Sequence, residues 1–198
     1  MSVNAAVYGS TNGRNYAGAM MDKGKEGERV ILAWLRDNPT TVDVDDLRDL
    51  RPMQKADVDC AIYNEDGTVC LAEIKSDDWL VEGGNVAFEY LRINHTAAPD
   101  KACVLGWTAR TPAKYVMYYA TKEQRLYVFR ADKLREAFQR FTSSKRPDRG
   151  EWFNRLGGMN MRWISTDAIK STLIICIPLS VFSAGSYKVY DVSQYARG

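Results

Sequence analysis

The chain has 198 residues, 45% hydrophobic and 26% charged, with a formal net charge of +2. That length and apolar share predict one domain with a single substantial core. The longest apolar run, Leu173 to Leu179, is short and broken by Pro178. A bilayer span needs about 18 such residues, and no signal peptide is visible, so no membrane partner is expected. The expectation is a soluble intracellular protein, cytoplasmic and of cellular or phage origin. Charge is uneven along the chain. Residues 1–100 hold 10 basic and 18 acidic side chains, and residues 101–198 hold 17 and 7. A chain acidic in one half and basic in the other suits a polyanion held over a cation site, provided the halves stay apart in the fold. The cysteines at 60, 70, 103 and 176 lack metal-finger spacing and are expected to be reduced, with Cys60 and Cys70 in the core.

Residues 1–20, rich in Gly, Asn, Ser and Ala, read as a flexible arm ahead of a single domain over 21–198. Gly24-Lys25-Glu26-Gly27 leads into a helix that runs to about Asp37, with Ile31, Leu32 and Leu35 as its apolar face. Glu28 shares that face by its spacing, and a carboxylate directed at a core is costly unless paired or bound to a metal. Glu26 lies towards the Val30 side, as a first-turn charge favoured by the helix dipole. Thr40 to Gln54 is acidic and reads mainly as a solvated loop, with a short strand near Val42 and a helical turn near Leu47.

Lys55 to Asp78 reads as a hairpin. Ala56 to Tyr63 and Val69 to Lys75 both alternate with period two, and Asn64-Glu65-Asp66-Gly67 lies between them. A type I turn with Gly67 in the left-handed bulge position makes a three-residue loop and opposes Asn64 to Thr68. In that register Asp59 faces Glu73 and Asp57 faces Lys75, so three carboxylates and one ammonium meet on one face. A slip of one residue would undo the cluster. Clustered carboxylates repel, and a hard divalent cation such as Mg²⁺ or Mn²⁺ relieves the repulsion. Bound there, it can activate water and neutralise phosphoryl charge, while Lys75 orients the water or stabilises developing negative charge. The alternative reading is a solvated face of an ordinary hairpin.

Further on, Val86 to Ile93 predicts a third strand, with Asn85 and Glu89 as outer partners of the cluster or plain surface groups. His95, the only histidine, reads as a loop residue. Cys103–Thr108, Tyr115–Ala120 and Arg125–Phe129 read as strands, followed by a helix capped by Asp132. Lys145, Arg146 and Arg149 sit on a basic loop suited to phosphate contacts or simply to solubility. Ser165-Thr166-Asp167 resembles a helix start. Leu173–Leu179 and Tyr187–Tyr195 read as closing strands.

Asp57-Val58-Asp59 followed by Glu73-Ile74-Lys75 resembles the signature of the PD-(D/E)XK nuclease superfamily, although Ala56 stands where its proline is expected. Lys23-Gly24-Lys25-Glu26-Gly27-Glu28 resembles the helical first motif of the same superfamily. The likeness covers Gly24 to Lys75. It implies a restriction-endonuclease-like α/β (α+β) fold, a mixed central sheet flanked by helices. It also implies a Mg²⁺- or Mn²⁺-dependent deoxyribonuclease, an endonuclease that cuts duplex DNA or, as a homodimer like the Holliday junction resolvases, branched DNA. By the same likeness Asp59 and Glu73 hold the metal, joined by the Ile74 carbonyl. Asp57 and Glu28 serve as outer or second-metal ligands, Glu26 is the fallback for Glu28, and Lys75 positions the nucleophile. Which of Asp57 and Asp59 is the principal ligand stays open. The competing reading is a non-catalytic DNA-binding protein on a nuclease-like fold.

Overall fold

The protein is described from a computed structural model over residues 13–77, 84–98, 102–142, 160–165 and 170–196. It is a mixed α+β fold. The helix α1 (Gly13–Asp37) starts well before the expected Gly24, so its first turns fall within the stretch read as an arm. There follow β1 (Thr41–Asp46), α2 (Arg51–Ala56), β2 (Cys60–Asn64), β3 (Val69–Asp77), β4 (Asn85–Asn94), β5 (Cys103–Leu105) and α3 (Trp107–Arg110). The chain continues through β6 (Tyr115–Ala120), β7 (Arg125–Arg130), α4 (Ala131–Thr142), β8 (Asn160–Ser165), β9 (Lys170–Pro178) and β10 (Tyr187–Asp191). Among the described residues, no helix is long and apolar enough to cross a membrane.

Six strands form a sheet in the order β1-β2-β3-β6-β7-β10. Its pairings are antiparallel except β3 with β6, which run parallel. β6 is buried on both faces: Met117 and Tyr119 join one core cluster, and Val116, Tyr118 and Ala120 join the other. An interior strand beside a parallel partner reads as such a continuous apolar run. α1 covers the first face with Val30, Ile31, Leu32 and Leu35 over Ala72, Ile74, Met117 and Leu126. Gly27 allows the close approach, because a Cβ there would lie 1.8 Å from Ser76 Oγ.

The second face departs from the expectation of one sheet flanked by helices. The third strand, β4, belongs to a separate antiparallel sheet of order β5-β4-β9-β8. Val86 and Phe88 of β4, with Ile175 and Ile177 of β9, join Trp107, Tyr118 and Phe129 in the second core. The alternation in Val86–Ile93 marked a strand with one buried face, and alternation alone does not say which sheet supplies the cover. Cys103–Thr108 is correspondingly divided, three residues of edge strand and then the start of α3. Ser165 ends β8 opposite Ser171, and Thr166 and Asp167, the rest of the expected helix start, lie outside the described residues.

The hairpin forms in the expected register. Cys60, Ala61, Ile62 and Tyr63 face Ala72, Leu71, Cys70 and Val69. The Asn64 amide donates to the Thr68 carbonyl at 2.9 Å, the Gly67 amide donates to the Asn64 carbonyl at 2.9 Å, and Gly67 has φ 77°. Cys60 and Cys70 are free, buried thiols, and burial, helped by Asp59 and Asp46, pushes Cys60 up to about 12.

Candidate metal and phosphate site

β2 begins only at Cys60, opposite Ala72, so from Glu73 to Asp77 one side of β3 has lost its antiparallel neighbour. β6 still covers the other side. The uncovered side opens into a cleft of about 840 Å³ whose lining includes Glu28, Arg36, Arg48, Asp57, Asp59, Glu73, Lys75 and Arg92. Of the five acids expected at the site, four line this cleft; the fifth, Glu26, does not line it and ion-pairs at 2.8 Å with Arg29 on its rim.

Asp59 reaches back across the end of the hairpin, where its Oδ2 accepts the Ile74 amide at 2.7 Å. In an extended strand the N–H and C=O of one residue point the same way, so the Ile74 carbonyl also projects off the uncovered side. The Ile74 side chain points into the core beneath α1. Glu73 is 2% exposed. One of its oxygens is paired with the Lys75 ammonium, while Oε2 is buried with no hydrogen-bond partner. Burial is the largest influence on the Glu73 carboxyl and lifts it to about 7; Lys75 opposes the rise, and Asp59 and Asp57 add to it. Burial works against the Lys75 ammonium, but the surrounding carboxylates outweigh it and hold its pKa above the ordinary value. The Lys75 Nζ also stands 5.4 Å from the centroid of the Trp107 ring, which helps fix it beside Glu73.

Asp57 is not placed as the hairpin register predicts. It caps α2 in the left-handed region, φ 55° and ψ 58°, and Val58 closes the helix end by donating from its amide to the Met53 carbonyl at 3.1 Å. Helix ends of this kind favour Gly or Asn at the left-handed position, and Asp tolerates it. Asp57 therefore leaves the strand and no longer faces Lys75. Its carboxylate meets Arg110 at 2.5 Å and its carbonyl accepts the Thr111 hydroxyl at 2.6 Å. Burial raises the Asp57 carboxyl despite Arg110. Pro52, in the first turn of α2, is the sequence signal that marks this helix.

Glu28, expected on the core-facing side of α1, lines the cleft instead, half-buried and ion-paired with Arg48. Arg48 also holds Asp46 at 2.5 Å, so one guanidinium links the two. Glu89, considered as an outer partner, pairs with Arg92, and Arg92 reaches the cleft. A bulge between Glu89 and Leu91 places these residues, three apart, on the same side of β4. Gly106 lets the chain pass close by, since a Cβ there would lie 1.9 Å from the Glu89 carbonyl oxygen. Arg48, Arg92 and Arg110 were not singled out from sequence. His95 is an exposed loop residue whose Nε2 lies 2.8 Å from Ser171 Oγ. Lys145, Arg146 and Arg149 lie outside the described residues.

No family model, curated protein or solved structure matches this chain.

Among the described residues no three His, Cys, Asp or Glu side chains form a ready-made metal cage. Mg²⁺ characteristically takes only one or two carboxylates and keeps several waters. Asp59, the partnerless Glu73 Oε2 and the Ile74 carbonyl fit such a cation. A second hollow, of about 590 Å³, lies at the hairpin-turn end of the sheet between Trp34, Tyr115 and Tyr190. Its two acids, Glu65 and Asp66, belong to the turn, and Asp66 is held by the Thr68 amide and hydroxyl at 2.9 and 2.6 Å. It therefore lacks a comparable donor set.

Proposed function

We propose that this protein is a Mg²⁺- or Mn²⁺-dependent deoxyribonuclease that hydrolyses phosphodiesters in the cleft beside β3. The observation that carries this reading is the partnerless, buried Oε2 of Glu73, set beside Asp59 and Lys75 where β3 loses its neighbour. A buried carboxylate oxygen without a donor is costly, and a cation is the partner that the surrounding acids would share. Asp59 and Glu73 would hold it, with the Ile74 carbonyl. When bound, it supplies an acidified water and neutralises charge on a phosphoryl oxygen. Lys75, 31% exposed by side chain, can turn from Glu73 towards the attacking water or the phosphoryl oxygens. Glu28 and Asp57 line the same cleft and act as outer carboxylates. The superfamily likeness of Asp59, Glu73-Ile74-Lys75 and Glu28 supports the same assignment.

A second reading, a DNA-binding protein without chemistry, is favoured by the ion pairs Glu28–Arg48 and Glu73–Lys75, which let the protein's own cations neutralise the acids. One experiment separates the two. Wild type and Lys75→Ala are incubated with plasmid, linear and branched DNA in Mg²⁺, Mn²⁺ or EDTA. Metal-dependent cleavage that disappears in Lys75→Ala supports the nuclease. Retarded but uncut DNA supports the binder, and neither binding nor cleavage removes both.

A further inference from the structure

The cleft has a basic rim as well as an acidic floor, and much of that rim is one stripe of α1. Lys25, Arg29, Leu32 and Arg36 all line it. Their spacing of four, three and four residues keeps them within about 60° of arc on a helix of 3.6 residues per turn. Leu32 is buried where the stripe borders the core face of Val30, Ile31 and Leu35, so the stripe's exposed groups are its cations. From Lys25 to Arg36 the helix rises about 16 Å at 1.5 Å per residue. Over that axial length one strand of a B-form duplex carries about five phosphates. Arg29 is tied in place, to Glu26 at 2.8 Å and to the Tyr195 carbonyl at 3.0 Å. Lys25 and Arg36 stand exposed on either side of it. Arg92 reaches the same cleft from β4, in the other sheet.

We propose that Lys25 and Arg36 form a phosphate-binding rail along α1, on which the backbone of one DNA strand lies as it passes the Asp59–Glu73–Lys75 cluster. The inference rests on the reading of the cleft as a nucleic-acid site. It assigns the binding residues to α1, independently of the 145–149 loop. Cations on the rim attract the polyanion, and the carboxylates on the floor leave no favourable place for a phosphate without a metal between them. The rail reads backbone and carries no base preference.

The test is fluorescence anisotropy with a labelled duplex in EDTA, so that no cutting intervenes, across a salt series. Each phosphate contact on a duplex contributes about 0.9 to the slope of log affinity against log salt. Lys25→Ala/Arg36→Ala should flatten the slope by roughly 2 and weaken binding several tens of fold near 0.1 M salt, equally for unrelated sequences. Lys25→Arg should bind as wild type does. Lys114→Ala/Lys188→Ala removes the same charge from the hollow at the turn end of the sheet and should leave the slope unchanged. Melting temperatures of all variants establish that they are folded. Wild-type binding by the rail double variant, an equal loss in the Lys114/Lys188 pair, or a wild type that does not bind duplex would each overturn the rail. A protein that binds through the rail yet never cleaves with Mg²⁺ or Mn²⁺ would keep the rail and remove only the hydrolase.

Discussion

Replacing Glu73 by Gln in the metal-free protein should change how stability depends on pH. Glu73 ionises at about 7 in the folded chain against an ordinary value of 4.5, chiefly because it is buried. Between those values the folded chain keeps a proton that the unfolded chain has released. Stability therefore falls as pH rises through that window. Glutamine has nearly the same shape, cannot ionise and escapes the loss. A displacement of about 2.5 pKa units at 1.36 kcal/mol each amounts to about 3 kcal/mol. The stability difference between Glu73→Gln and wild type should move in the variant's favour by about 3 kcal/mol between pH ~4 and pH ~8.5. At about 2–4 °C per kcal/mol for a chain of this size, the gap in melting temperature should widen by roughly 6–12 °C. Thermal melts of both proteins in EDTA at the two pH values measure it, and titrations common to both cancel. An unchanged gap would refute the account of Glu73 as a carboxylate held against its charge.

Further variants probe the supports of the cleft. Gly27→Ala would normally favour a helix, but the new Cβ meets Ser76 Oγ at 1.8 Å and Tyr119 Cδ1 at 3.2 Å. The expected result in urea unfolding is a loss of about 1–3 kcal/mol, largely recovered by adding Ser76→Gly. Gly106→Ala sets a Cβ 1.9 Å from a backbone oxygen of Glu89, which cannot rotate away. It should destabilise more than Gly27→Ala in the same unfolding assay. Arg110→Ala leaves the half-buried Asp57 carboxylate without its 2.5 Å partner. That should cost about 1–3 kcal/mol at neutral pH. Because the Asp57 pKa, already raised, rises further without Arg110, the loss should shrink as pH falls and the carboxyl is protonated.

The hairpin was legible because the turn chemistry and the alternation agree. Asn64 and Gly67 fix a three-residue loop, that loop fixes the register, and the register brings Asp59 to Glu73-Ile74-Lys75. Helical spacing put Glu28 on the inward side of α1, and the likeness to the superfamily's first motif tied it to the site. Asp57 was misplaced because period two was extended back across a helix end, although Pro52 and the left-handed tolerance of Asp offered the competing signal. Arg48, Arg92 and Arg110 reach the cleft or its border through contacts 20 to 53 residues apart in sequence, or through a bulge in another sheet, and no local pattern encodes such meetings. The second sheet was hidden for the same reason. β4 alternates and β9 is a continuous apolar run, so each reads as a strand, but their pairing joins segments about 80 residues apart. The early start of α1 ran against a Gly- and Asn-rich sequence of low helix propensity.

Mn²⁺ binding followed by electron paramagnetic resonance addresses the cation directly, without requiring turnover. The wild-type protein should remove free Mn²⁺ signal with saturation, competed by Mg²⁺, and Asp59→Asn/Glu73→Gln should lose that site while remaining folded. Saturable binding that is the same in the double variant, or no binding by wild type even with duplex DNA present, would contradict a cation site at the uncovered side of β3.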